Sequence, residues 1–165
     1  MYTFSMFFFS FSQDIFIRVA IFASGVCGYM VARHIHNHKQ PNAAPLVCPV
    51  KFNCHAVVHS DYSRFAGIPV EIFGMFYYGL VSFSYLFFVF VPEAMPVSLI
   101  NLTIALSSIA FLFSLYLIFV QIFVLRKGCS WCIVSAIISA LIFALTVATY
   151  HLSYIIEILP GVFLK

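Results

Sequence analysis

Four of the five cysteines in this chain form two closely spaced pairs. Cys129 and Cys132 lie in the motif CSWC at the start of a long apolar run, and Cys48 and Cys54 lie in CPVKFNC. In a helix, residues at i and i+3 share one face, so the sulfurs of Cys129 and Cys132 can form a disulfide across one turn. The short segment from Cys48 to Cys54 can also close into a disulfide. Both pairs therefore have a spacing that permits thiol–disulfide exchange.

The residues around Cys129 predict an acidic thiol. Arg126 and Lys127 precede it, and the free amides of the first helical turn also favour an anion at this position. We therefore expect a lowered pKa for Cys129, which makes a disulfide that includes this sulfur easy to attack. Cys132 lies one turn deeper, in a more apolar setting. The alternative is that both are ordinary buried cysteines, because cysteine is common in buried positions.

The composition predicts an integral membrane protein. Of the 165 residues, 64% are hydrophobic and 8% are charged, and the mean hydropathy is +1.08. A soluble domain has about 45–50% apolar and about 25% charged residues. The apolar residues form long runs rather than repeats, which disfavours a fibrous chain. The Lys and Arg residues behind the net charge of +3 are too few and too scattered for a nucleic-acid surface.

Four apolar runs are long enough to cross a bilayer. We predict spans at about residues 15–32, 72–91, 97–125 and 129–150, with an aqueous redox loop at 33–71. Short connections between the later spans predict an all-α antiparallel bundle of four transmembrane helices, which forms a single membrane domain over residues 1–165. A cleaved signal peptide is disfavoured because the first run has neither a basic leader nor a small-x-small cleavage site.

The redox loop contains a second structural signal. Apolar residues from Ala56 to Phe65 recur at near-helical spacing, which predicts a short helix lying on the bilayer surface. Glu71, at the mouth of the second span, is a charge that is costly unless it faces water or a partner.

Span counting places the two cysteine pairs on one side of the membrane, because an even number of crossings separates them. Two dithiols on the same side suggest a relay. Disulfide formation requires an oxidising compartment, so we expect an inner (cytoplasmic) membrane protein whose cysteine loop faces the periplasm or exterior. The positive-inside rule predicts the opposite orientation, because most Lys and Arg lie on the cysteine side. We give the redox requirement priority over this statistical rule.

Metal binding is the competing use of these residues. His34, His36 and His38 alternate, and a second histidine pair lies four residues apart beside Cys54, a spacing that can bind zinc. Because no second C-x-x-C motif accompanies the first, we predict no metal site. Cys27, alone inside the first span, is expected to pack against its neighbours.

These features resemble the bacterial branch of the vitamin K epoxide reductase family, which comprises quinone-linked thiol oxidoreductases of the membrane. The resemblance is carried by Cys48 and Cys54, by Ser60 beyond them, by the segment GIPVEIFG at residues 67–74, and by CSWC. It implies a quinone, either ubiquinone or menaquinone, with its head group beside Cys132 and beneath the surface helix. It also implies that Ser60 shapes the cap over the quinone.

The same resemblance implies a protein partner. Electrons would enter at Cys48 and Cys54 from a periplasmic thioredoxin-fold (DsbA-like) dithiol protein. Many bacterial members carry a thioredoxin domain fused behind the bundle, and this sequence ends without one, so we expect the partner to be a separate protein. The surroundings would be membrane lipid and the quinone pool.

The functional prediction is a quinone-dependent thiol–disulfide oxidoreductase that supports disulfide bond formation. Its catalytic residues would be Cys48, Cys54, Cys129 and Cys132, and its quinone would contact Ser60, Gln121, Ser135 and Tyr77, or Tyr78 in place of Tyr77. One alternative is a vitamin K epoxide or quinone reductase proper, although vertebrate enzymes carry a tyrosine where this chain has Ala136. The other is a non-catalytic, metal-handling membrane protein with structural disulfides.

Overall fold

Four long helices account for the apolar runs of the sequence. The computed structural model describes the backbone of residues 2–40, 46–48, 53–65, 67–90 and 97–163, and the side chains from residue 15 to residue 149 within those ranges, except at 97 and 100. The helices are α1 (Tyr2–His38), α2 (Cys54–Val58), α3 (Val70–Phe90), α4 (Val97–Phe119) and α5 (Ser130–Phe163). The parts long and apolar enough to cross a membrane are Ile15–His38, Val70–Phe90, Asn101–Leu125 and Ser130–Thr149. The predicted helical bundle of four spans is confirmed.

Close approach of α1 and α3 builds the centre of the bundle. A Cβ atom placed on Gly28 would lie 2.5 Å from the ring of Tyr78, so only a glycine allows this ring to cross the helix surface. Small residues that let helix backbones approach are the usual means of association in a membrane, where lipid competes for apolar contacts. α5 packs against both α1 and α4. The buried cluster at the centre consists of Ile21, Ala32, Tyr78, Val81, Tyr85, Phe88 and Ile142.

The first helix does not end where its apolar run ends. The sequence predicted a span to residue 32, whereas α1 continues to His38. No glycine or proline interrupts the chain between these points, and Ile35 on the added turns is buried, which gives the extension an apolar contact. The histidines at 34, 36 and 38 are therefore helical, and the loop begins later than predicted.

The described loop residues 46–48, 53–65 and 67–69 form a cap over one end of the bundle. Its helix α2 begins after Asn53, whose side-chain oxygen accepts a hydrogen bond from the Ala56 amide at 3.2 Å. The helix ends at Val58, earlier than the spacing of apolar residues predicted, because the Ser60 hydroxyl donates to the Val57 carbonyl at 2.7 Å and turns the chain.

A small hairpin completes the cap and was not predicted. A 3₁₀ turn at Asp61–Ser63 leads into strands β1 (Arg64–Phe65) and β2 (Ile68–Pro69), which pair antiparallel with Phe65 opposite Ile68. Gly67 has φ of 81°, a conformation that glycine adopts without strain. These strands are the one departure from the predicted all-α fold in the described part of the chain.

The third span ends in an irregular turn that leads to the CSWC motif. α4 continues as a π-helix over Val120–Leu125, and Arg126 ends it with a left-handed backbone, φ 51°. π-helical turns often mark functional positions because they displace the chain from regular helical register.

Candidate active site

Cys129 lies immediately before α5 and caps its first turn. Its carbonyl accepts from the Ile133 amide at 3.0 Å, and its sulfur accepts from the Cys132 amide at 3.3 Å. The Cys132 thiol also donates to the Cys129 sulfur at 2.8 Å. A cysteine sulfur therefore takes the place of the serine or aspartate oxygen that usually caps a helix. Because a capping acceptor at a helix N-terminus is favoured when it is negative, the arrangement stabilises a thiolate.

The pKa of Cys129 is lowered from its usual value, as the sequence predicted. The largest cause is the hydrogen bond from the Cys132 thiol, and the backbone amides of Cys132 and Trp131 add to it, while burial acts in the opposite direction. The sequence-based prediction also attributed the lowered pKa of Cys129 to the charges of Arg126 and Lys127. Both are exposed, so solvent and salt screen their charges.

Gln121 holds the cysteine motif from the neighbouring helix. Its side-chain oxygen accepts a hydrogen bond from the buried Cys129 amide at 3.2 Å, and its carbonyl accepts from the Lys127 amide at 3.2 Å. Gln121 is itself buried and lies in the π-helical turn. Because that turn departs from regular helical register, the side-chain amide of Gln121 lies against the start of α5.

The loop pair is joined and lies directly over the CSWC motif. Cys48 and Cys54 form a disulfide with their Cα atoms 5.8 Å apart. The Cys54 sulfur is 3.8 Å from the Ser130 hydroxyl. Cys54 and Cys129 are both buried in one apolar cluster, against which Cys48 and Cys132 also pack. The structure thus brings together all four predicted catalytic cysteines at the same end of the bundle.

Trp131, between the two CSWC cysteines, fastens the cap to α5. Its indole N–H donates to the Val47 carbonyl at 3.2 Å, next to Cys48. Its ring lies 4.5 Å from the imidazole of His34. Trp131 was predicted only as part of the CSWC motif, because nothing in the sequence indicates a contact with a residue so distant in the chain.

A cavity of about 480 Å³ lies beneath the cap, between α3, α4 and α5. This volume is within the range of pockets that hold small organic ligands. Its walls are mainly apolar, and Cys132 lines it, whereas Cys129 does not. All of the predicted quinone contacts line this cavity, namely Ser60, Tyr77, Gln121 and Ser135, and Tyr78 lines it too. Ala136 also lies in the wall.

The polar groups of the cavity are partly engaged with each other. Tyr78 donates from its hydroxyl to the Ser135 carbonyl at 2.7 Å and is 3.0 Å from the Ser135 hydroxyl. Tyr77 donates to the Ser107 hydroxyl at 3.4 Å, a long and therefore weak bond. The Ser60 hydroxyl donates to the Val57 carbonyl, and this hydrogen bond helps to shape the cap. An apolar cavity with a few hydroxyl and amide donors fits a quinone, whose ring is apolar and whose two carbonyl oxygens accept hydrogen bonds.

Glu71 is ion-paired, which the sequence did not show. Its carboxylate meets the Lys39 ammonium, with Lys39 Nζ 3.2 Å from Oε1 and 3.2 Å from Oε2. Lys39 also donates to the Ser63 hydroxyl at 3.1 Å, so it joins α1, the cap and α3. Lys39 directly follows α1, and it reaches Glu71 because that helix runs beyond its predicted end to His38. The sequence indicated only that an acid at the start of a span needs water or a partner, and it did not identify Lys39 as that partner.

The remaining candidate ligands lie apart from the cavity. His34 lies 4.2 Å from His38, and His55 stacks on His59 at 4.2 Å between ring centroids. Among the described residues, no group of three or more His, Cys, Asp or Glu side chains converges on one point. Cys27 is exposed on α1.

Fold and site together define a multi-pass membrane protein with two adjacent cysteine pairs above an apolar cavity. A sequence model of the vitamin K epoxide reductase family matches residues 15–147, which include both pairs and all four spans as far as residue 147. The chain therefore belongs to the vitamin K epoxide reductase family. No curated protein matches the chain. Members of this family are redox enzymes that act on disulfides or quinones, so this chain is a redox enzyme of that kind and, embedded in the membrane, interacts with lipid and quinone.

Proposed function

We propose that this chain reoxidises a thioredoxin-fold dithiol protein on the periplasmic side of an inner membrane, and passes the electrons to ubiquinone or menaquinone. The observation that carries the proposal is the order of the sulfurs. The loop disulfide lies over Cys129, and Cys132 opens onto the cavity. Electrons can therefore travel from the outer surface to the cavity by exchange between neighbouring sulfurs.

The difference in exposure between the loop cysteines assigns them different tasks. Cys54 is 1% exposed and faces α5, whereas Cys48 is half-buried and follows Val47, which is 77% exposed. A thiolate of the partner protein can thus reach Cys48 more easily than Cys54. Attack on Cys48 forms a mixed disulfide with the partner and releases Cys54 as a thiolate. The second thiol of the partner then frees Cys48 and leaves the partner oxidised.

The released Cys54 thiolate is placed to attack the Cys129–Cys132 disulfide at Cys129. Attack there forms a bond between Cys54 and Cys129 and releases Cys132 as a thiolate at the cavity wall. The lowered pKa of Cys129 makes it the better leaving group when Cys48 then attacks Cys54 and restores the loop disulfide. The result is an oxidised loop pair above a reduced CSWC pair, which is the arrangement of bonds in the structure.

The last transfer takes place at Cys132. A bound quinone supplies an acceptor for two electrons and two protons. Cys132 would face the quinone, Cys129 would close the disulfide with Cys132, and Gln121 and Ser135, which line the same cavity, would hold its carbonyl oxygens. The cap over the cavity would limit contact between water and the Cys132 sulfur.

Quinol formation tests this proposal. Detergent-purified protein is mixed, without oxygen, with a reduced thioredoxin-fold dithiol protein and either ubiquinone or menaquinone, and quinol is followed by absorbance. We expect quinol from the wild type and none from Cys132→Ala. Cys27→Ala, the matched control in a cysteine outside both pairs, should keep the wild-type rate. No quinol from folded wild-type protein with intact disulfides would refute the proposal and favour a structural or metal-handling role.

A further inference from the structure

Glu71 places a carboxyl group in the wall of the cavity. It follows the first residue of α3, its side chain is 5% exposed, and it lines the same cavity as Cys132. Its charge acts electrostatically on Cys132. Among the described residues that line the cavity, Glu71 is the only acid. An ionisable group inside a membrane protein is costly, and it is usually retained for a function.

Two basic side chains meet this carboxyl group, His36 on the last turn of α1 and Lys39 directly after that helix. Lys39 Nζ contacts both oxygens at 3.2 Å, and His36 Nδ1 is 3.8 Å from Oε1. The His36 side chain is 31% exposed, against 11% for Lys39. Histidine is a common proton shuttle. His36 therefore lies beside the buried carboxyl group and is the more exposed of its two basic neighbours.

The reduced cysteine pair supplies only one of the two protons that a quinone takes up. Reduction of a quinone to a quinol takes up two electrons and two protons. Both electrons come from Cys129 and Cys132 as their sulfurs join. The Cys129 sulfur accepts from both the Cys132 thiol at 2.8 Å and the Cys132 amide at 3.3 Å, a geometry that stabilises a thiolate at the start of a helix. The reduced pair then brings one proton, on the Cys132 sulfur. The second proton must come from another group.

We propose that Glu71 supplies this second proton and takes a replacement from water through His36. The inference rests on the proposed function, because the proton needs a quinone as its acceptor. When the proton leaves, Lys39 stabilises the carboxylate that remains. No electrons move at Glu71, so the cysteines contribute two electrons and one proton, and Glu71 contributes one proton.

Glu71→Gln tests the proposal, because it removes the acidic proton and keeps the shape of the side chain. We expect quinol formation to slow at least about tenfold, since general acid catalysis typically contributes about 10²–10⁴-fold. Electron transfer from the loop pair to the CSWC pair, followed by thiol trapping without quinone, should change less than about twofold, because that exchange does not use Glu71. Asp61→Asn makes the same chemical change on an exposed acid of the cap, and it should leave both rates unchanged.

Loosening of the cap is the competing cause of a slower rate. Ser63→Ala removes the hydroxyl that accepts from Lys39 at 3.1 Å and keeps the acid, so its rate should stay near that of the wild type. Added formic acid, a small proton donor, should restore quinol formation several-fold in Glu71→Gln and leave the wild type unaffected. An equal loss in Ser63→Ala, or no rescue by formic acid, would overturn the proposal.

Infrared spectroscopy gives a readout without quinone. The difference between reduced and oxidised quinone-free protein should contain a protonated-carboxyl band that Glu71→Gln lacks. The other titratable groups placed against Glu71 in the described part of the chain are His36, Lys39 and Cys132, and all three remain in the variant. A missing band, or a wild-type rate of quinol formation in Glu71→Gln, would overturn the proton-donor role. Failure of the wild type to form quinol is a separate result that refutes the proposed function itself.

Discussion

Replacing Cys132 by alanine should raise the pKa of Cys129. In the structure, the Cys132 thiol donates to the Cys129 sulfur at 2.8 Å, and this bond is the largest cause of the lowered pKa. The substitution removes the thiol and keeps the backbone amide, which continues to donate to the sulfur at 3.3 Å. The change therefore isolates one of the groups that stabilise the thiolate.

The size of the effect follows from the strength of that bond. A hydrogen bond to a charged group contributes about 1.5–3 kcal/mol. Cys132→Ala should therefore destabilise the Cys129 thiolate by about that energy and raise the pKa of Cys129. The sign follows because the lost donor stabilises only the deprotonated form. The fraction of thiolate at a given pH below the new pKa should fall accordingly.

Ultraviolet absorbance of the thiolate, recorded as a function of pH, measures this change. The titration compares Cys132→Ala with protein that retains both cysteines in reduced form, and the spectrum of a variant that lacks Cys129 is subtracted as the blank. Ser135→Ala, which removes a hydroxyl one turn further along α5, is the matched control and should leave the titration of Cys129 in place. An unchanged or lower pKa in Cys132→Ala would refute the reasoning, because it would mean that the Cys132 thiol does not act as the donor.

Two further predictions concern stability and are measured by thermal unfolding in detergent. Lys39→Met leaves the Glu71 carboxylate buried without its counter-ion and should lower the free energy of unfolding by about 3–5 kcal/mol. The double substitution Lys39→Met, Glu71→Gln should recover most of this loss. An equal loss in the single and the double variant would contradict the ion-pair argument. Gly28→Ala places a Cβ atom 2.5 Å from the Tyr78 ring and should cost about 1–3 kcal/mol by overpacking. Gly79→Ala, whose nearest neighbour would be 4.0 Å away, is the control and should cost nothing measurable.

The helices were predictable because hydropathy is a local property of the sequence. A run such as Ile72 to Val91 has no charge, and a bilayer accepts such a run only as a helix, whatever else the chain does. The lowered pKa of Cys129 was predictable for a related reason. Two of its causes, the backbone amides of Trp131 and Cys132, lie within its own helical turn and were part of the prediction. The largest cause, the hydrogen bond from the Cys132 thiol, was not.

The ends of the elements were less predictable because they depend on distant contacts. α1 continues to His38 because Ile35 packs in the apolar cluster beneath the cap, and no local sequence pattern indicates that contact. The hairpin depends on a left-handed Gly67, which a glycine permits but does not require. The roles given to Ser60, Tyr77, Gln121 and Ser135 stay predictions, although the fold places all of these residues in one cavity wall.

The sequence by itself determined the membrane class, the number of spans, the pairing of cysteines at close spacing and the side that the two pairs share. These follow from apolar run length and from short-range geometry. Only the tertiary structure decided that Cys54 lies over α5 and that Glu71 meets Lys39. The physical reason is that each of these contacts joins residues from different helices or from the cap, and packing rather than any local preference sets their distances.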